Sequence, residues 1–127
     1  MSNSVVHFEI PADDFDRAQK FYTDAFGWNL QHMPEMQYTM VMTTESNEQG
    51  MPANPGAING GMGKRQSPHS EHPTVTIGVD DIDKAVEAIS AAGGSALGEK
   101  MAVGEMGWAA YFKDVEGNLM GLWQSRQ

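Results

Sequence analysis

Two stretches of this 127-residue chain repeat each other at a fixed interval, and that repeat limits the fold more than any other feature. Asp13-Asp14-Phe15-Asp16-Arg17-Ala18 aligns with Asp80-Asp81-Ile82-Asp83-Lys84-Ala85, 67 positions further on. The register runs backward to pair Ile10 with Ile77 and Phe8 with Val75. Self-similarity over half a chain predicts two copies of one supersecondary module.

Each copy opens as a strand. Val6, Phe8 and Ile10 alternate with Val5, His7 and Glu9, and Val75, Ile77 and Val79 alternate with Thr74, Thr76 and Gly78. Period-two alternation gives each strand one apolar face and one mixed polar face. The apolar face needs a cover, and a helix follows at once. Asp13 or Asp14, and Asp80 or Asp81, suit a helix N-cap, with a further Asp in the first turn favourable to the helix dipole. Phe15, Ala18, Tyr22, Ala25 and Phe26 form the apolar stripe of the first helix, and Ile82, Ala85, Val86, Ile89 and Ala92 that of the second. Gly27 and Gly93-Gly94 are the C-terminal stops.

Three more strands follow each helix: 28–33, 38–43 and 57–62 in the first half, then 96–103, 108–112 and 118–124 in the second. A turn at 114–118 closes the last hairpin. Residues 44–56 form a loop rich in Asn, Gly, Pro and Glu, and 63–72 a polar linker. The chain is therefore expected to be a single α+β domain over 1–127, two tandem βαβββ modules at about 4–63 and 72–125.

Composition removes several function classes. There is no cysteine, so disulfides, thiolate metal sites and thiol nucleophiles are excluded together. A net charge of −9, with Lys64-Arg65 the one close basic pair, argues against nucleic acid as a partner. No apolar run approaches the length of a membrane span, and the N-terminus lacks the basic region of a signal peptide, so a cytoplasmic location is expected. No Gly-x-Ser-x-Gly elbow is present. The glycines of 57–63 do not make a phosphate loop, since neither the Lys-Ser/Thr ending nor a following helix is there. The ten methionines suit an adaptable apolar pocket, but core gap-filling is the expected job for most of them.

The opening His7-Phe8-Glu9-Ile10-Pro11-Ala12-Asp13-Asp14, with Arg17-Ala18, Phe21-Tyr22 and Phe26-Gly27-Trp28, resembles the start of a vicinal oxygen chelate module. So do 79–85 with Ala92-Gly93-Gly94, and the closing Tyr111-Phe112-Lys113-Asp114-Val115-Glu116-Gly117-Asn118. The resemblance is to the superfamily of glyoxalases, bleomycin-resistance proteins and extradiol (dihydroxybiphenyl) dioxygenases, and it covers the whole chain. It implies curled mixed sheets around a cavity and, for many members, a homodimer. Whether the modules pair within a chain or swap between chains is left open.

Metal-binding members of that superfamily carry ligands on the first strand of each module, usually His, and on the last strand, usually Glu. Carried onto this sequence, the positions are His7, Thr74, Gly121 and a residue around Asn59-Gly60. His7 alone is a strong ligand, and a divalent ion needs about three. No cofactor is therefore expected. If a metal is held, the displaced set open to it is His7, Glu9 and His72.

The resemblance also assigns the polar face of the first strands to the cavity. His7 and Glu9 are then the candidate acid–base or orienting pair, set against the plainer role of satisfying the interior. Thr74 and Thr76 continue this face with hydroxyls. Tyr38, Met40, Trp108, Leu119, Gly121 and Trp123 are the candidate walls, in keeping with a pocket that is apolar with few polar groups. Gly60-Gly61 and Gly121 read either as room for a ligand or as strand bulges. His32 and His69 are expected in solvent. The leading expectation is a metal-independent protein binding a small, partly apolar organic molecule. The alternative is an enzyme of glyoxalase, isomerase or dioxygenase type.

Overall fold

A computed structural model describes residues 3–48, 51–65 and 71–126. His69, part of the 63–72 linker, and two residues of the 44–56 loop lie outside the described residues. The chain divides into two compact units, one of residues 7–73 and one of residues 74–127 with the N-terminal 1–6.

The first unit is built on β1 (Val5–Ala12), α1 (Phe15–Phe26), β2 (Asn29–Met33), β3 (Tyr38–Met42) and β4 (Gly60–Lys64). Its strands lie in the order β2-β3-β4-β1, antiparallel except for the parallel pair β1/β4. The second unit contains β5 (Thr74–Gly78), α2 (Ile82–Ala91), β6 (Ser95–Val103), β7 (Gly107–Lys113) and β8 (Leu119–Ser125). Here the order is β5-β8-β7-β6, with β5/β8 the parallel pair. Each unit is thus the expected βαβββ module, and the class is α+β.

The second aspartate of each repeated pair is the cap. Asp14, in extended conformation, accepts the Arg17 amide at 3.1 Å, and Asp81 accepts those of Asp83 at 2.9 Å and Lys84 at 3.3 Å. These bonds satisfy helix donors that have no partner inside the helix. Gly27 ends α1 at φ +73°, a left-handed conformation that a side chain would resist. In the last hairpin, Asp114 Oδ1 accepts the amides of Glu116 and Asn118, each at 2.9 Å.

Each helix lies on the apolar face of its own sheet. Ala12, Val41 and Met62 are buried in the first unit, with Phe8, Ile10, Phe15, Ala18, Tyr22 and Leu30 around them. Val79, Ile82, Ala110, Phe112 and Leu122 form the second core, backed by Ile77, Ala85, Val86 and Ile89.

Three expectations are corrected. The α1 stripe is covered only as far as Tyr22, on which Trp28 stacks flat at 5.1 Å; Phe26, at the edge of both rings, is 62% exposed. Val75, on the expected apolar face, is also exposed. The third strand of the first module runs over Gly60–Lys64 rather than 57–62. There Asn59 Oδ1 accepts the amides of Thr43 (2.8 Å) and Thr44 (3.0 Å), and so turns its side chain to the end of β3 instead of joining a ladder.

Candidate small-molecule site

Residues opposite each other in a sheet share a face, so strand register decides which predicted residues stand together. In the first unit Glu9, Gly61, Met40 and Gln31 form one row across the four strands, and Pro11, Gly63, Tyr38 and Met33 the next. Both rows face away from α1, because Ile10, Met62 and Val41 on the alternate positions pack under it. His7 shares this face by strand alternation. The structure therefore brings His7, Glu9, Tyr38 and Met40 onto one surface.

It also adds a contact that the strand pattern does not show. The Tyr38 ring lies against Gly63 and runs on over Gly61, where a Cβ would fall on the Tyr38 hydroxyl. That hydroxyl is 3.2 Å from His7 Nε2 in a hydrogen bond. A side chain from β3 thus crosses β4 to reach β1, and two glycines clear its path. Gly61 makes room, but the room is taken by tyrosine.

The electrostatics keep both groups neutral near pH 7. Burial holds His7 below its ordinary value, since an imidazolium would lose solvation. Tyr38 is pushed well above the usual phenol range, first by burial and then by the negative charge of Glu9. The pair is an imidazole and a phenol, with one proton available between oxygen and nitrogen.

In the second unit Thr76, Gly121, Tyr111 and Leu97 form one row, and Gly78, Trp123, Ala109 and Met101 the next. Thr74 and Leu119 share this face by alternation, and Thr74 and Thr76 are buried. The Trp123 indole lies over Gly107, whose missing side chain admits it. The two units solve one packing problem with exchanged partners. Tyr38 on β3 faces Gly63 on β4, whereas Ala109 on β7 faces Trp123 on β8.

Trp108 departs from its expected place. Its neighbours in register are Gln124 and Ala102, and it packs with Ala110 and Phe112 on the α2 side, opposite to Trp123. Lys100 and Arg126 each lie 5.0 Å from its ring centroid in cation–π contact, and Lys100 also bonds Asp83 of α2. Trp108 and Trp123 are fifteen positions apart on different strands, so their parity could not be compared without the register. Tyr111 was missed for the same reason: only the register sets it beside Gly121. A cleft of about 490 Å³ is likewise found on the α2 side, among Ile77, Lys84, Phe112 and Leu122.

Register also relocates one family metal position. Gly61 opposes Glu9 as Gly121 opposes Thr76, so Gly61, not Asn59-Gly60, is the counterpart of Gly121. The four positions are then His7, Gly61, Thr74 and Gly121. A Cβ at Gly121 would stand 2.8 Å from Thr76 Oγ1, and one at Gly61 on the Tyr38 hydroxyl. Of the four positions, His7 alone carries a side chain that commonly ligates a divalent ion. Among the described residues no three His, Asp or Glu side chains group as a metal set, so His7, Glu9 and His72 are not assembled into one. His32 is exposed, yet it is not merely solvated: Nδ1 bonds Thr39 Oγ1 at 2.9 Å and the ring packs on Phe15.

Comparison with known proteins agrees with this fold. Residues 4–44 match the family described as bleomycin resistance protein-like N-terminal. A glyoxylase-like domain-containing protein of Didymella fabae is 32% identical, over 87% of this chain and 84% of its own. A probable lactoylglutathione lyase of Vibrio parahaemolyticus is 31% identical, over 100% and 95%. The chain belongs to the vicinal oxygen chelate superfamily. Within it, these sequence relatives are glyoxalase-like. The methylmalonyl-CoA epimerase of Streptomyces coelicolor, solved in complex with 2-nitronate-propionyl-CoA, shares the fold at TM-score 0.65 and 17% identity, over 98% of this chain and 99% of that one. No helix among the described residues is long and apolar enough to cross a membrane.

Proposed function

We propose that this chain is a metal-independent, small-molecule-binding member of the superfamily, taking a partly apolar organic molecule on the face of the first unit turned away from α1. The observation that carries this is the path of Tyr38 across Gly61 to His7. Where a module of this superfamily can present a metal-binding carboxylate, this one presents a phenol hydrogen-bonded to an imidazole. His7 and Glu9 are the orienting polar groups, Met40 and the Tyr38 ring the apolar support. Thr74, Thr76, Leu119, Gly121 and Trp123 form the corresponding face of the second unit. A cytoplasmic homodimer completes the proposal.

The named relatives favour a second reading, an enzyme of glyoxalase type with His7 and Glu9 as an acid–base pair. One experiment separates the two. Elemental analysis of purified protein is expected to find no stoichiometric Zn, Ni, Mn or Fe, and added ions to leave the melting temperature unchanged. The hemithioacetal of methylglyoxal and glutathione is expected to turn over no faster than in buffer, with or without those ions. A 1:1 metal content, or turnover above buffer, with or without added ions, that is lost in His7→Ala while the far-UV circular dichroism persists, selects the enzyme.

A further inference from the structure

Building on the reading of this face as a small-molecule site, we infer that the Tyr38 hydroxyl, relayed to His7, is the group that meets the ligand's oxygen, and that this oxygen belongs to an uncharged ketone or alcohol.

A tyrosine used only as filler over Gly61 and Gly63 would need no polar tip, since a phenylalanine ring covers the same glycines. The tip is instead placed on His7 Nε2 at 3.2 Å, on the sheet face turned away from α1. A hydroxyl is both donor and acceptor, and a neutral imidazole exists in two tautomers. With the proton on Nδ1, Nε2 accepts the Tyr38 O–H, and the phenol oxygen has a lone pair for a ligand hydroxyl. With the proton on Nε2, the imidazole donates to the phenol oxygen, and the Tyr38 O–H is released toward a ligand carbonyl. The pair can therefore serve an acceptor or a donor without any change of charge.

Charge narrows the class further. The two rows that face away from α1 contain no Lys or Arg, and Glu9 stands among them. Lys64 and Arg65, at the end of β4, are turned to the Asp13 carbonyl and the Asp13 carboxylate. A carboxylate or phosphate brought to this face would meet the Glu9 carboxylate and, from the two rows, no Lys or Arg. A carbonyl or hydroxyl on an apolar body meets a partner of matching polarity.

The test uses three probes that share one ring: acetophenone, 1-phenylethanol and benzoate. Affinities are read by NMR titration of the whole chain, wild type and Tyr38→Phe. The wild type is expected to bind acetophenone and 1-phenylethanol at least tenfold more tightly than benzoate. Tyr38→Phe keeps the ring over Gly61, so its melting temperature is expected to stay close to that of wild type while acetophenone binding falls about tenfold. In ¹⁵N spectra of His7, acetophenone should shift the tautomer toward protonated Nε2 in wild type and not in the variant. Equal acetophenone affinity in the two proteins, or benzoate as the preferred probe, overturns the inference and leaves the site reading standing. Failure of all three probes to bind wild type overturns the site reading itself, and the inference with it.

Discussion

Gly61 shows what a single hydrogen in place of a methyl can control. Gly61→Ala puts a Cβ where the Tyr38 hydroxyl now lies, so the ring has to leave β4 and its bond to His7. Overpacking of this kind costs about 1–3 kcal/mol, to be read from urea denaturation. Tyr38→Ala in the same chain removes the clash, so the double variant should lose less than the two single losses added together. Additive losses would mean that the ring and the glycine are energetically independent. At this scale the sequence was partly legible. His7 and Glu9 could be assigned to one face from alternation alone, and they share it. Tyr38 could be named as a wall but not as a partner of His7, because 31 residues separate them and the contact depends on glycines in a third strand.

The elements were more readable than their joins. Capping aspartates, apolar stripes and stop glycines act within a few residues, so α1 and α2 were legible with little error. The third strand of the first module was displaced because Asn59 had a competing use. Its side-chain oxygen accepts two amides and lies 3.4 Å from the Thr43 hydroxyl, which ties the end of β3 to the start of β4. Asn59→Ala leaves those amides without that acceptor. The expected loss is about 1–3 kcal/mol by the cost of unsatisfied groups, with faster hydrogen exchange at Thr43 and Thr44 than at the β1/β4 ladder. Exchange unchanged at those two amides would show that water replaces Asn59 without penalty. The stripe of α1 was over-extended. Helical periodicity includes Phe26, but that ring meets Tyr22 and Trp28 at the end of the helix and stays mostly exposed.

Across the whole molecule, charge acts in the opposite sense to the individual ion pairs. Lys20–Asp24, Arg65–Asp13 and Lys100–Asp83 all have at least one well-exposed member, and such pairs contribute little. A net charge of −9 on 127 residues repels itself throughout the surface. Salt at about 0.5 M reduces the screening length to a few ångströms. The melting temperature is therefore expected to rise by about 2–5 °C between low and high NaCl, as a stability gain near 1 kcal/mol would give, followed by circular dichroism. A fall would mean that the ion pairs outweigh the repulsion. By itself the sequence determined the repeat, the order βαβββ twice over and the aspartate pairs that supply the caps, because periodicity and capping are properties of neighbours along the chain. Only the tertiary structure decided that Gly61 is the counterpart of Gly121, that Trp108 turns to α2 while Trp123 does not, and that Tyr38 spans a strand to reach His7. Those outcomes follow from register between distant strands, where a shift of one residue moves every side chain to the other face.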